Sequence, residues 1–174
     1  MKYCYKCGEK LIDKECFNCG ISEGNFPYCP KCEEFRFPFF NVAVSMVIFN
    51  KDYSKILLIK QYNRDWNILV AGYVNKTENL ETTLVRELKE EVGLKAKSFR
   101  FNESQYFEKS NTLINNFIVQ VEDEKYALTA EVDSANWYDI KTARIEVLQN
   151  SLAQYFLELA IKKVKEENND KNNN

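Results

Sequence analysis

Three carboxylates stand close together at Glu87, Glu90 and Glu91, immediately behind Arg86. At about 100° per residue, these positions of a helix fall within an arc of roughly 100°, so the three side chains share one face. Like charges crowded in this way repel one another unless something positive lies between them. Oxygen ligands of this kind suit a hard divalent cation, Mg2+ or Mn2+. A cation held there can bridge phosphate oxygens, neutralise charge developing on a diphosphate and acidify a water for in-line attack on phosphorus. Arg86 can pair with a neighbouring carboxylate and fix its rotamer. A Glu- and Lys-rich helix with i,i+4 pairs is otherwise commonly a solvated face, and the LKEE stretch alone would be read that way.

The second group with metal chemistry is a set of six cysteines, all between Cys4 and Cys32, in the pairs Cys4/Cys7, Cys16/Cys19 and Cys29/Cys32. One CxxC brings two thiolates to a tetrahedral Zn2+, and two such pairs close a structural site. Three pairs compete for four places. The first two are each followed by Gly, which suits a knuckle turn. A redox-active CxxC is the rival reading, but no thioredoxin-like βαβ pattern surrounds any pair. The chain contains no His. That removes every His-based catalytic scheme and every mixed Cys/His metal site.

The elements that must position these groups can be read from the pattern. Residues 1–38 are rich in Cys, Gly and Pro and poor in aliphatic residues, as expected of short hairpins around a metal. From Asn41 the runs NVAVSMVIFN, KILLIKQY and NILVAGYV are apolar and β-branched, and polar turns break them, so three strands follow one another. Residues 79–92 carry Leu80, Leu84 and Leu88 at four-residue spacing, the stripe of a helix that Gly93 ends as a left-handed cap. Further strands are expected at 98–102, 115–121 and 134–138, with a second helix at 148–165. The order is mixed α/β. The polar, low-complexity end, residues 166–174, reads as a disordered tail.

A chain of 174 residues accommodates one catalytic domain plus a small accessory module. With 24 Lys and Arg against 26 Asp and Glu, the net charge of −2 offers no overall attraction to nucleic acid or an anionic membrane. No run approaches the roughly 20 apolar residues of a membrane helix, and MKYCYKCGEK lacks the apolar stretch of a signal peptide. A cytoplasmic protein that does not engage membranes is expected.

The segment GYVNKTENLETTLVRELKEEVGL has a fixed pattern: Gly72, Glu78, Arg86, Glu87, Leu88, Glu90, Glu91, Gly93 and Leu94. It resembles the Nudix box at every fixed position, and on it the chain is identified as a member of the Nudix hydrolase family. The resemblance implies a Nudix α/β/α sandwich with a mixed sheet, about residues 39–165, and Mg2+-dependent hydrolysis of a nucleotide diphosphate linkage. It places Glu87, Glu90 and Glu91 at the metal, with Arg86 and Glu78 in the catalytic set. The stretch YCPKCEEFRFPFFNVAVSMVI, together with ILVAGYV, is similar to the NADH pyrophosphatase type, which carries a four-cysteine zinc ribbon before the Nudix fold. In that likeness Cys29/Cys32 is the second knuckle, and the implied zinc set is Cys4, Cys7, Cys29 and Cys32, with Cys16/Cys19 at a hairpin tip.

Further likenesses follow the box. In EVDSANWYDI, Glu131 falls where this subfamily has an additional metal-binding or catalytic Glu. NSLAQYFLELAI resembles its last helix, with Ser151 and Ala153 near the nucleotide. SQYFEKSNTL matches the subfamily's substrate motif at Ser104, Gln105 and Leu113, has Phe107 where the motif has Trp and Thr112 where it has Ser, and lacks its three prolines. The implied substrate is NAD(H), split to AMP and nicotinamide mononucleotide, with NAD-capped RNA as a further substrate and a homodimer as the assembly. ADP-ribose or another nucleoside diphosphate derivative is the alternative substrate. A non-catalytic nucleotide sensor or RNA-binding module is the alternative class. The ribbon itself is expected to brace the fold or a dimer, with nucleic-acid binding as its other reading.

Overall fold

The computed structural model describes residues 1–172, and the chain divides into two compact units, Met1–Phe40 and Asn41–Asn174. In the first unit, β1 (Ile12–Asn18), β2 (Ile21–Cys29) and β3 (Glu34–Phe35) form an antiparallel meander in the order β1-β2-β3. The β1–β2 turn is Cys19-Gly20, with φ of 49° and 82°. A two-residue hairpin turn needs this left-handed pair, so Gly20 serves the hairpin rather than a metal knuckle.

The second unit is built on a six-stranded mixed sheet. Its strands are β4 (Asn41–Phe49), β5 (Lys55–Lys60), β6 (Val70–Tyr73), β7 (Ala96–Phe107), β8 (Thr112–Val121) and β9 (Ser134–Asp139). The order is β7-β8-β4-β5-β9, with β6 pairing β4 off that path. β4 runs parallel to β8 along its whole length and antiparallel to the other two. One edge of β4 is shared: Ala43–Met46 pairs with β6, and only Ile48 and Phe49 pair with β5. The sheet therefore forks at β4, and β6 delivers Gly72 and Tyr73 into the fork.

Helices cover both faces. Successive strand residues point to opposite sides, so Val44, Met46, Ile48, Leu57 and Ile59 pack with Leu84, Leu88 and Val92 of α1 (Leu80–Val92). Val47, Phe49, Ile56 and Leu58 pack on the other face. Their partners are Ala143 of α2 (Ile140–Glu146) and Phe156, Leu157, Ala160 and Ile161 of α3 (Leu152–Asn172). This is why β4 and β5 read as unbroken apolar runs. The expected α/β/α sandwich with a mixed sheet is present.

Several expected bounds shift. α2 was not anticipated. β7 is longer than residues 98–102 because β8 pairs with it from Ala96 to Phe107 across two bulges. α3 starts at Leu152, where Ser151 Oγ accepts from the Gln154 N–H. It does not stop at 165: the segment expected to be a disordered tail is helical to Asn172, and residues 173–174 lie outside the described residues. Charge explains the extension, since Glu167 pairs with Arg100 at 2.8 Å and Lys162 with Glu166 one turn on at 3.9 Å.

Candidate active site

α1 is fixed at both ends. Asn79 is its N-cap, its side chain accepting from the Thr82 N–H at 2.7 Å. Gly93 closes it with φ 68°, donating to the Leu88 and Lys89 carbonyls. A Cβ on Gly93 would meet Ala127 at 3.0 Å. Leu84, Leu88 and Val92 hold one side of the helix in the core, so the rotation that results is set by packing. It turns Glu87 and Glu91 inward, where both are buried, and leaves Glu90 on the exposed rim.

Arg86 ties the carboxylates together. Its Nε donates to Glu78 Oε1 at 2.9 Å, and Nη1 donates to Glu87 Oε1 at 2.6 Å and to Glu90 Oε2 at 3.0 Å. Nη2 donates to Glu78 Oε2 and to the Tyr73 carbonyl, both at 3.0 Å. Glu78 also accepts from the Thr83 hydroxyl and the Asn75 N–H. The Arg86 guanidinium and these donors hold the Glu78 carboxyl down to about 2, so it stays anionic. Glu78 is a brace for Arg86.

The inner carboxylates behave in the opposite way. Burial pushes Glu91 up to about 7, with the charges of Glu87 and Glu131 adding to it and the Gln61 amide opposing it. Glu91 is only 4% exposed, and its Oε2 has no hydrogen-bond partner among the described residues. Burial also raises Glu87, against the pull of Arg86 and with Glu90 and Glu131 repelling it. Glu131 sits in the turn before β9, exposed, and its charge acts on both Glu87 and Glu91. Glu87 and Glu91 thus lie inside and Glu90 and Glu131 outside, near enough for the charge of Glu131 to act on both inner groups and that of Glu90 on Glu87. An orphaned buried carboxylate oxygen among like charges fits a cation site.

The expected substrate residues separate. Phe107, Ser151 and Ala153 line one cleft of about 490 Å3 together with Ala43, Ser45 and Ala71. Gln105 lies outside that lining, two residues back on β7, with its amide donating to Glu103 Oε1 at 2.7 Å. Ala71 and Gly72 are neighbours on β6 and point to opposite faces. The cleft and the carboxylate cluster therefore back onto the two sides of one short strand.

In the first unit the sulfurs of Cys4, Cys7, Cys29 and Cys32 all lie within 4.8 Å of one another. The Cys7 and Cys29 sulfurs are 3.5 Å apart, and the Cys32 N–H points at Cys29 Sγ at 3.4 Å. Arg36, buried, donates from Nε to Cys4 Sγ at 3.2 Å. Burial raises the Cys4 thiol, but Arg36 and the Lys6 and Cys7 N–H groups outweigh it and bring Cys4 to about 6. Hydrogen bonding with Cys7, then burial, lifts Cys32 to about 12. Four sulfurs packed this closely suit a tetrahedral thiolate site. Cys16 and Cys19 lie outside the cluster, on the β1–β2 hairpin.

Two contributors escaped the reading of the sequence. Gln61, buried at the end of β5, supplies the amide that meets Glu91. Tyr73, exposed beside Gly72, gives its carbonyl to Arg86. A Gln after a strand and a backbone carbonyl leave no chemical signature in sequence.

A forked α/β/α sandwich whose first helix carries Glu87 and Glu91 inward and Glu90 at the rim, with Arg86 between them and Glu78, defines the class. The chain belongs to the Nudix family, whose NUDIX domain model matches residues 39–159. Among curated relatives it is similar to the NAD-capped RNA hydrolase NudC of Escherichia coli (strain SMS-3-5 / SECEC), 27% identical over 141 residues, 79% of this chain and 51% of the relative. The protein of the same name from Shigella flexneri is 28% identical over the same share. The chain spans about half the length of the curated relatives it matches. Among solved structures it resembles the NUDIX domain of Shewanella oneidensis NrtR complexed with ADP ribose, with a TM-score of 0.64, 18% identity, and 79% of this chain and 94% of that one covered. A NUDIX hydrolase from Nitrosomonas europaea aligns over 91% of both chains, with a TM-score of 0.58 and 19% identity. These likenesses to solved structures carry the fold.

Proposed function

We propose that the chain hydrolyses the diphosphate linkage of a nucleotide derivative, and that NAD(H) is cleaved to AMP and nicotinamide mononucleotide. The observation that carries the reading is a buried Glu91 oxygen with no hydrogen-bond partner among the described residues, on which the charges of Glu87 and Glu131 act, while Glu90 is tied to Glu87 through Arg86. Those four glutamates would hold Mg2+ or Mn2+. When bound, the cation neutralises charge on the diphosphate and acidifies the attacking water. The chain's own part is positioning. Arg86 fixes the rotamers of Glu87 and Glu90, and Glu78 holds Arg86. The cleft lined by Phe107, Ser151 and Ala153 offers an aromatic edge and polar groups to a flat ring at one end of the substrate. Cys4, Cys7, Cys29 and Cys32 would hold a structural Zn2+, independent of the chemistry.

The likeness to NAD-capped RNA hydrolases is the reason for naming NAD(H) here, and a capped RNA presents the same linkage at the end of a polynucleotide. Among the described residues, no helix is long and apolar enough to cross a membrane. Purified protein incubated with Mg2+ and separate portions of NADH, NAD and ADP-ribose, with products separated by chromatography, tests the reading. AMP and nicotinamide mononucleotide from NADH or NAD support it. Cleavage of ADP-ribose alone would remove the NAD(H) assignment, and cleavage of none would remove the hydrolase assignment.

A further inference from the structure

Arg64 is unlike the other arginines of the chain. Arg36, Arg86, Arg100 and Arg144 each sit in an ion pair, and among the described residues Arg64 sits in none. Its guanidinium lies over two exposed rings instead, 5.9 Å from the centroid of Tyr62 and 5.4 Å from that of Trp66. The loop that carries them is held in place. The Asn63 N–H donates to Asp133 Oδ2 at 2.6 Å, and the Asp133 N–H donates to the Lys60 carbonyl at 2.9 Å. Tyr62 and Asn63 both adopt the left-handed region, with φ of 59° and 53°. For Tyr that conformation is costly and persists only where the surroundings enforce it.

The position of the loop matters as much as its content. At one end Gln61 meets Glu91, and Asp133 is two residues beyond Glu131, so the loop borders the carboxylate cluster. At the other end the chain continues into Ile68 and Leu69, which line the cleft. A planar cation with its donors uncommitted binds phosphate in a bidentate fashion, and an aromatic ring beside it can stack a base or ribose. In a dinucleotide, the two phosphates of the linkage belong at the carboxylates. Arg64 is then left to meet a further one.

We infer that Arg64, with Tyr62 and Trp66, forms a subsite for a third phosphate, carried on the ribose of the nucleotide whose diphosphate is cleaved. The inference rests on the hydrolase reading above and specifies its substrate class. The same chemistry could come from a ribose phosphate monoester or from the phosphodiester of an extended nucleotide, and the choice of probes separates them. Affinities are measured by calorimetry on the full chain for AMP, adenosine 2′,5′-bisphosphate, adenosine 3′,5′-bisphosphate and the dinucleotide pApA, with wild type, Arg64→Ala, Arg64→Lys and Trp66→Ala. At least one of the two bisphosphates or pApA should bind about tenfold more tightly than AMP. That ratio should fall to near one in Arg64→Ala and be partly restored in Arg64→Lys. Preference for a bisphosphate identifies the monoester, and preference for pApA alone identifies the diester. Equal affinity for AMP and every other probe in wild type, or a preference that survives Arg64→Ala, would overturn the subsite. So would a change of oligomeric state in Arg64→Ala, which would make the loop a contact between copies. Because binding is read without turnover, an inactive wild type would count against the hydrolase reading alone.

Discussion

The carboxylate of Glu87 occupies the volume that a side chain at position 72 would fill: a Cβ built on Gly72 would lie 1.9 Å from Glu87 Cδ and 2.0 Å from its Oε1. Neither residue can be understood without the other. Gly72 lies on β6, paired with Val44, and Glu87 is set by the packing of Leu84 and Leu88, so both backbones are anchored in the core. Gly72→Ala must therefore push the Glu87 side chain off its place, since the strand and the helix cannot separate cheaply. A displacement of about 1 Å at a reacting centre costs on the order of a hundredfold in rate. We predict that loss for Gly72→Ala at saturating Mg2+, with circular dichroism still native. Wild-type turnover in the variant would show that Glu87 is not needed where it stands.

The buried Glu91 makes stability depend on pH. Its folded value of about 7 lies above the ordinary 4.5, so the folded state holds a proton that the unfolded chain has released. The stabilisation is full below about 4.5 and is lost as pH rises through about 7. Glu87, raised in the same direction, adds to the trend. In chelator-treated protein, wild type should lose stability relative to Glu91→Gln between those values, and added Mg2+ should cancel the difference. Parallel melting curves for the two proteins across that range would contradict the burial argument.

Much of this arrangement is visible in the sequence, and what is hidden has physical reasons. Asn79, Leu80, Leu84, Leu88 and Gly93 announce α1 because its cap, stripe and stop are all local features. The unbroken runs of β4 and β5 announce a sheet covered on both faces. β7 beyond residue 102 is hidden because this part of the edge strand carries Glu103, Ser104 and Gln105, and only its pairing with β8 makes it a strand. α2 buries Ala143 alone and so has no stripe, although Asp139 caps it by accepting from the Lys141 and Thr142 N–H groups. The role of Arg86 as a link among three carboxylates was partly foreseeable. The meeting of Gln61 with Glu91 was not, because it joins residues that only the tertiary fold brings together.

The cysteines yield a stoichiometry. Four sulfurs converge and two sit on a hairpin whose Gly20 is consumed by the turn. Elemental analysis should find one zinc per chain, absent in Cys29→Ser and retained when Cys16 and Cys19 are both changed to Ser. Two zincs per chain, or loss of zinc in the double variant, would contradict the ligand set.

Phe107 lines the cleft with Ser151 and Ala153, but the loop after β7 lacks the prolines that would stiffen it. More ordering entropy is spent on binding, of order 1 kcal/mol per residue newly fixed, so NADH should be cleaved with a high KM. Phe107→Ala should raise KM for NADH roughly tenfold through lost stacking and change ADP-ribose much less, since that substrate has no nicotinamide. Equal effects on both would make Phe107 a packing residue.

If the α1 carboxylate face performs the chemistry, Glu90 at its exposed end is the residue whose change should be felt most cleanly. Glu90 is 59% exposed in its side chain and accepts from Arg86 Nη1 at 3.0 Å, so Glu90→Gln removes a charge without disturbing the core. The measurement is the rate of AMP release from NADH at saturating Mg2+ by wild type and Glu90→Gln, with the melting temperature of each recorded alongside. A fall of about a hundredfold or more is expected, with the melting temperature unchanged or raised because a repulsion is relieved. A rate for Glu90→Gln within a few-fold of wild type would show that the reaction takes place somewhere other than this helix.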